Sequence, residues 1–146
     1  MKIVLDTNIW LDWLYFNDIK AKPLKTLHEK NIFEILIDEA CMRELLTVLA
    51  YDRFLGLEAD QTIIEKEVRK LCTLVETQTT EAPSFWCRDP DDVKFLDLSG
   101  QHNVDHLITK DLHLLKRKNR RSLENGHMRF SILSLDKFLN TFTHII

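Results

Sequence analysis

Four acidic residues lie where the chain can bring them into one site. Asp6 directly follows a short apolar run, residues 3–5, and Asp111 follows a second one centred on residues 107 and 108. Glu44 lies at the edge of the apolar stripe of a predicted helix, and Asp92 lies at the start of another. Acids at such positions are typical of the carboxyl edge of a parallel sheet, where open α/β proteins place their ligand sites.

Carboxylates at close range raise one another's pKa values unless a cation offsets their charge. Oxygen ligands without matching His or Cys favour a hard divalent ion, Mg²⁺ or Mn²⁺. Such an ion lowers the pKa of a bound water and neutralises charge on a phosphodiester during in-line attack. The pattern therefore predicts metal-assisted phosphodiester hydrolysis, with four residues acting as catalytic groups and metal ligands: Asp6, Glu44, Asp92 and Asp111.

The segment at residues 88–92, RDPDD, has three acidic residues within four positions. Pro90 suits the first turn of a helix and Asp89 its N-cap, so the helix start explains one or two of these acids. Three acids are more than capping needs. The residues alone leave open which of Asp89, Asp91 and Asp92 would ligate a metal.

The elements that must position these acids alternate along the chain. Strands are predicted at residues 3–5, 32–37, 73–76, 103–109 and 130–133, with helices between them and after the last. Asn8 is a candidate cap for the first helix and Asp38 for the helix at 40–51. The alternation predicts an α/β fold of three layers, α/β/α, around a central parallel sheet of four to five strands. At 146 residues, one domain spanning 1–146 is expected.

The composition excludes several classes of protein. A net charge of −3 is unusual for a protein that holds nucleic acid by general electrostatics. Three scattered cysteines indicate neither a disulfide framework nor a zinc cluster, and no apolar run is long enough to span a bilayer. We therefore expect a cytoplasmic protein. Trp10 and Trp13 are expected to serve core or dimer packing rather than base stacking.

Positive charge is concentrated after the last predicted active-site acid. Residues 116–121, KRKNRR, carry five basic side chains out of six. They form either a solvated loop or a contact surface for an RNA backbone or an acidic partner. The candidate contact residues are Lys110, Lys116, Arg117, Lys118, Arg120 and Arg121.

The sequence also resembles the PIN-domain ribonucleases found as toxins in toxin-antitoxin pairs. The matching pieces, in the family's order, are VLDTN with Asp6 and Asn8, RELLTVL with Glu44, RDPDDVKFLDLS with Asp92, LITKDLHLL with Thr109 and Asp111, and the late FSILSLDKFL. The resemblance selects Asp92 from the RDPDD acids, because VKFLDLS follows it as in the family. Asp89 is left as the cap and Asp91 as an outer ligand.

The resemblance implies a Rossmann-like PIN fold and an endoribonuclease dependent on Mg²⁺ or Mn²⁺. It adds Thr7, Asn8 and Thr109 as supporting hydrogen-bonding residues. It further implies an RNA substrate, an antitoxin protein as partner and a homodimer, with no membrane contact. An alternative is a catalytically inactive PIN-like module that binds RNA or protein and acts in regulation.

Other phosphate chemistries fit the residues less well. A phosphatase of the haloacid dehalogenase type needs a second Asp two residues after the first, where this chain has Asn8. The acids do not match a response-regulator receiver, and the scattered glycines lack a nucleotide-binding loop. His102 and His106 have the spacing of a helical metal pair, but a predicted helix end separates them.

Overall fold

The computed structural model describes residues 1–51, 58–78, 90–117 and 130–145, with side-chain detail at all of these except 58–60, 90–92 and 117. Five strands form one sheet in the order β3-β2-β1-β4-β5, and every pairing is parallel. The strands are β1 (Lys2–Leu5), β2 (Glu34–Ile37), β3 (Cys72–Leu74), β4 (His106–Ile108) and β5 (Ser131–Leu133). The predicted parallel α/β fold is confirmed.

The helices alternate with these strands. They are α1 (Thr7–Trp10), α2 (Lys22–Glu29), α3 (Glu39–Leu49), α4 (Glu58–Leu71), α5 (Pro90–Gln101), α6 (Leu112–Arg117) and α7 (Leu135–Asn140). From β1 the chain runs to β2 and β3 on one side, then returns to β4 and β5 on the other. Connections between parallel strands are right-handed in nearly all proteins, so connections that run to opposite sides of β1 put helices on both faces of the sheet, as three layers require. Within the described ranges, no helix is both long and apolar enough to cross a membrane.

Strand β1 is the centre of the sheet because its side chains can be buried on both faces. Ile3, Val4 and Leu5 are at most 2% exposed, and β1 pairs with β2 on one side and β4 on the other. An uninterrupted apolar run is what such a strand needs. The buried side chains of the described residues form one hydrophobic cluster that includes these three. A single domain over 1–146 stays a prediction, since parts of the chain lie outside this description.

The helix starts show where local sequence rules hold and where they fail. Asp38 caps α3 as predicted, its carboxylate accepting from the Cys41 amide at 2.8 Å. The predicted cap of the first helix, Asn8, is wrong: Asp6 is the cap and α1 begins at Thr7. Asp6 keeps the extended backbone a cap requires, whereas Asn8 already lies inside the helix.

The first helix also changes its winding. After α1 it continues as a π-helical segment, Leu11–Tyr15, in which the Phe16 amide reaches back to the Leu11 carbonyl at 2.8 Å. Trp10 and Trp13 are buried and their rings stack at 5.6 Å. Both tryptophans therefore pack in the core of the chain, which is one of the two packing roles expected for them. Neither ring is placed to stack on a base.

The core position of β4 can be tested with a matched pair of leucines. Leu107 is 0% exposed in β4, whereas Leu112 at the start of α6 is 67% exposed. We expect Leu107→Ala to lower the free energy of unfolding by about 2–5 kcal/mol, because it leaves a cavity. Leu112→Ala should change it by less than about 0.5 kcal/mol. Urea unfolding measures both, and equal effects would contradict the assignment of β4 to the core.

Candidate functional site

Asp6 lies at the carboxyl end of β1, and its side chain is held on both oxygens. The Thr7 amide donates to Oδ1 at 2.7 Å, and the Thr109 hydroxyl donates to Oδ2 at 2.6 Å. The Asp6 amide donates to the Ile108 carbonyl at 2.9 Å, which extends the pairing of β1 with β4. The carboxylate is buried. Its position is thereby fixed by the ends of two neighbouring strands.

Thr109 connects Asp6 with the second strand-end acid, Asp111. Its hydroxyl donates to Asp6 and accepts from the Asp111 amide at 2.9 Å. One oxygen of Asp111 accepts from the His113 amide at 2.8 Å, at the start of α6. The connection after β1 leads to β2 on one side, and β4 lies on the other side. These residues therefore lie at the topological switch point of the sheet, where the connections diverge. Open α/β sheets bind ligands at this kind of crevice.

Glu44 reaches the same region from α3. The Thr7 hydroxyl donates to its Oε2, while the Lys94 ammonium on α5 lies 2.9 Å from its Oε1. Thr7 therefore contacts two of the predicted site acids, Asp6 through its amide and Glu44 through its hydroxyl. The result is a continuous chain of contacts in the order Asp111, Thr109, Asp6, Thr7, Glu44 and Lys94.

The electrostatics of Asp6 follow from this arrangement. Burial raises the pKa of its carboxyl from the ordinary 3.8 to about 6, although the hydrogen bonds from Thr109 and Thr7 lower it. The negative charges of Glu44 and Asp111 also contribute to the raised pKa. Three of the four predicted acids are thus close enough for their charges to interact. A cation bound beside Asp6 would offset this energetic cost.

The remaining predicted acids lie in the segment that begins α5. Asp91 and Asp92 are in the first turn of that helix, and their side chains lie outside the description. Asp89, the predicted cap, also lies outside the described residues. Within the described ranges no three His, Cys, Asp or Glu side chains form a group that could hold a metal ion.

Asn8 is the third predicted supporting residue, and it differs from Thr7 and Thr109. It lies in α1, and its side-chain oxygen Oδ1 is buried with no hydrogen-bond partner among the described residues. A buried polar atom without a partner is rare and calls for an explanation. The two threonines, in contrast, are fully engaged with the acids.

Only part of the predicted basic contact surface can be located. Lys110 forms an ion pair with Asp12 at 2.8 Å, so its charge is partly neutralised. Lys116 is exposed on α6. The side chain of Arg117 and all of Lys118, Arg120 and Arg121 lie outside the described residues.

The histidine pair has structural partners in this fold. The His102 ring nitrogen donates to the Glu76 carbonyl at 2.9 Å, and the His106 ring packs edge-on against Phe138. The residue that the sequence patterns missed is Lys94. Its contact with Glu44 joins two helices far apart in the sequence, and no local motif indicates such a pair.

Comparisons with known proteins agree with this architecture. A family model described as PIN domain matches residues 2–113. The structure is similar to that of VapBC2 from Rickettsia felis bound to a DNA fragment from their promoter, with 14% identity, a TM-score of 0.62, and coverage of 92% of this chain and 98% of that one. It is also similar to PAE2754 from Pyrobaculum aerophilum, with 13% identity, a TM-score of 0.64, and coverage of 99% and 90%. No curated protein matches significantly in sequence.

The raised pKa of Asp6 predicts a pH-dependent stability in the absence of divalent ions. Because the folded value of about 6 is above 3.8, the folded state binds the proton more tightly, and the free energy of unfolding falls as pH rises through 6. Asp6→Asn removes the charge. We expect its stability relative to wild type to rise by on the order of 2–3 kcal/mol between pH 4 and pH 7.5.

Urea unfolding in EDTA at several pH values measures this difference. The relevant quantity is how the difference in unfolding free energy between wild type and Asp6→Asn changes with pH. The asparagine side chain also alters the hydrogen bonds to Thr7 and Thr109, but that cost is the same at every pH. Asp136→Asn, at an exposed acid of α7, serves as the control for removing one carboxylate. A wild-type minus Asp6→Asn difference that stays constant from pH 4 to 7.5 would contradict the assignment.

Proposed function

Since the chain belongs to the PIN domain family, we propose that it is a divalent-metal-dependent endoribonuclease and the toxin of a toxin-antitoxin pair. The observation that carries the proposal is the double hydrogen bonding of the Asp6 carboxylate at the switch point of the sheet, with Thr109 linking it to Asp111. A strand-end acid fixed in this way is preorganised for a ligand that approaches from the carboxyl edge of the sheet.

The donor chemistry fits a hard divalent cation. Asp6, Glu44 and Asp111 offer carboxylate oxygens, and the charges of the other two raise the pKa of Asp6. Asp92, at the start of α5, is the remaining member of the proposed ligand set. Oxygen-only sets of this kind suit Mg²⁺ or Mn²⁺.

The residues of this chain have separable tasks in the proposed reaction. Asp6 and Asp111 provide ligand oxygens, with Asp92 completing the set and Asp91 as an outer ligand. Thr7 and Thr109 hold Asp6 by donating to its two oxygens, so the carboxylate does not need to reorganise when the ligand binds. A bound Mg²⁺ or Mn²⁺ would activate water and neutralise charge on the phosphodiester.

RNA as substrate and an antitoxin as partner are finer parts of the proposal. The resemblance to toxin ribonucleases supports both, and the VapBC2 structure is of a protein bound to promoter DNA. Exposed Lys116 and the basic residues that follow it are the proposed contacts for an RNA backbone or the antitoxin. A cytoplasmic, homodimeric protein of one domain completes the proposal.

Substitution of the proposed ligands tests the activity. We expect Asp6→Asn and Asp92→Asn each to lower the rate of RNA cleavage in Mn²⁺ by more than about 100-fold, since altered outer-shell residues alone cost about 10- to 100-fold at metal sites. EDTA should abolish wild-type cleavage and added Mn²⁺ should restore it. Cleavage of a labelled RNA is the measurement, with circular dichroism to verify folding.

Asp136→Asn is the matched control, because it removes an exposed acid far along the chain from the site. Its cleavage rate should equal that of wild type. Cleavage that survives both Asp6→Asn and Asp92→Asn would reveal a contaminating nuclease and sink the proposal. Binding of RNA by a wild-type protein that never cleaves it would favour the inactive regulatory module instead.

A further inference from the structure

The ion pair between Glu44 and Lys94 gives the proposed site a cation of its own. The ammonium nitrogen of Lys94 lies 2.9 Å from Glu44 Oε1, and the two side chains are 24% and 19% exposed. Fully exposed pairs in high dielectric contribute little, whereas a pair with this limited exposure is screened less by water and salt. Lys94 therefore lies as a persistent positive charge against one of the site acids.

The pair is connected to Asp6 through Glu44 and Thr7. Glu44 Oε2 accepts from the Thr7 hydroxyl, and the Thr7 amide donates to Asp6 at 2.7 Å. At the other end, Asp6 and Asp111 are held by hydroxyl and amide hydrogen bonds. Among the described residues no Lys or Arg forms an ion pair with either of them. Among the described side chains, the ammonium that pairs with a site acid thus lies on the Glu44 side.

We propose that Lys94 is a positioning residue that takes the place of a second metal ion, so that the site holds a single divalent cation, on the Asp6 and Asp111 side. This inference rests on the proposed metal-dependent function and adds the number of ions to it. Lys94 also holds Glu44 against Thr7, and Thr7 in turn holds Asp6.

The contacts of Glu44 support a single ion. Both of its carboxylate oxygens already have protein partners, Oε2 the Thr7 hydroxyl and Oε1 the Lys94 ammonium, so a second ion bound to Glu44 would have to displace one of them. A second divalent ion near Glu44 would lie next to the Lys94 ammonium, and two cations at close range repel each other. Two-metal nuclease sites instead use two ions about 3.5–4 Å apart to clamp the attacking and leaving oxygens. Here the ammonium replaces one of those charges.

Titration of the full chain with MnCl₂ tests the proposal, with free Mn²⁺ counted by electron paramagnetic resonance. We expect wild type and Lys94→Arg to bind one Mn²⁺ per chain. Lys94→Met should bind two, because Glu44 loses its ammonium partner and becomes available to a second ion. The double variant Lys94→Met with Glu44→Gln should return to one.

Lys70→Met is the control, since Lys70 pairs with Glu67 at 3.6 Å on α4, and its stoichiometry should stay at one. Should Lys94→Met fail to fold, Lys94→Gln carries the same expectation. Two Mn²⁺ ions on wild type, or one on every folded Lys94 variant, would overturn the role of Lys94 and leave the metal-dependent function standing. No Mn²⁺ on wild type would overturn the proposed function itself.

Discussion

The hydrogen bonds that hold the Asp6 carboxylate between two strand ends are the constraint on which the site depends. The Thr7 amide and the Thr109 hydroxyl each bind one oxygen, so the side chain is fixed although it is buried. Burying an ionised group without such partners carries a large energetic cost. Even with them, burial raises the pKa of Asp6 to about 6. The folded chain therefore carries an unfavourable charge that a bound cation would relieve.

Sheet topology explains why this constraint arises at one place. The strand order puts β1 between β2 and β4. Successive strands are added on one side of β1 up to β3 and on the other side from β4 onwards. The ends of β1 and β4 then supply Asp6 and Thr109 side by side, while α3 begins after β2 and brings Glu44 to Thr7. The same threonines that support the acids also tie together the elements that carry them. Stability and the proposed chemistry are coupled through these contacts.

The sequence predicts the elements with strong local patterns and misses the features that only tertiary contact creates. The uninterrupted apolar run of β1 indicates burial on both faces, and Asp38 before α3 is a recognisable cap. Strand ends are less well defined, since β4 spans only His106–Ile108 of the strand predicted at residues 103–109. The sequence pattern predicts Asp6 as a site residue and Asn8 as the cap of α1, whereas in the structure Asp6 is also that cap. Asp6 both caps the helix and lies in the proposed site, and a local pattern that looks for one role per residue does not detect this.

Lys94 shows the same limit more clearly. On the sequence it is one more charge on an amphipathic helix, and its partner Glu44 is on α3, which packs nearby only in the folded chain. A helical Glu is ordinarily solvated. In this structure both carboxylate oxygens of Glu44 have partners, one the Thr7 hydroxyl and the other the Lys94 ammonium.

A crystal structure determined with Mn²⁺, and read by the anomalous scattering of the metal, tests the central claim most directly. The account predicts an Mn²⁺ ion at the carboxyl edge of β1 and β4, about 2.1 Å from carboxylate oxygens of Asp6 and of its proposed partners Asp92 and Asp111. Carboxylates that face away from one another, or an ion bound elsewhere on the chain, would contradict it.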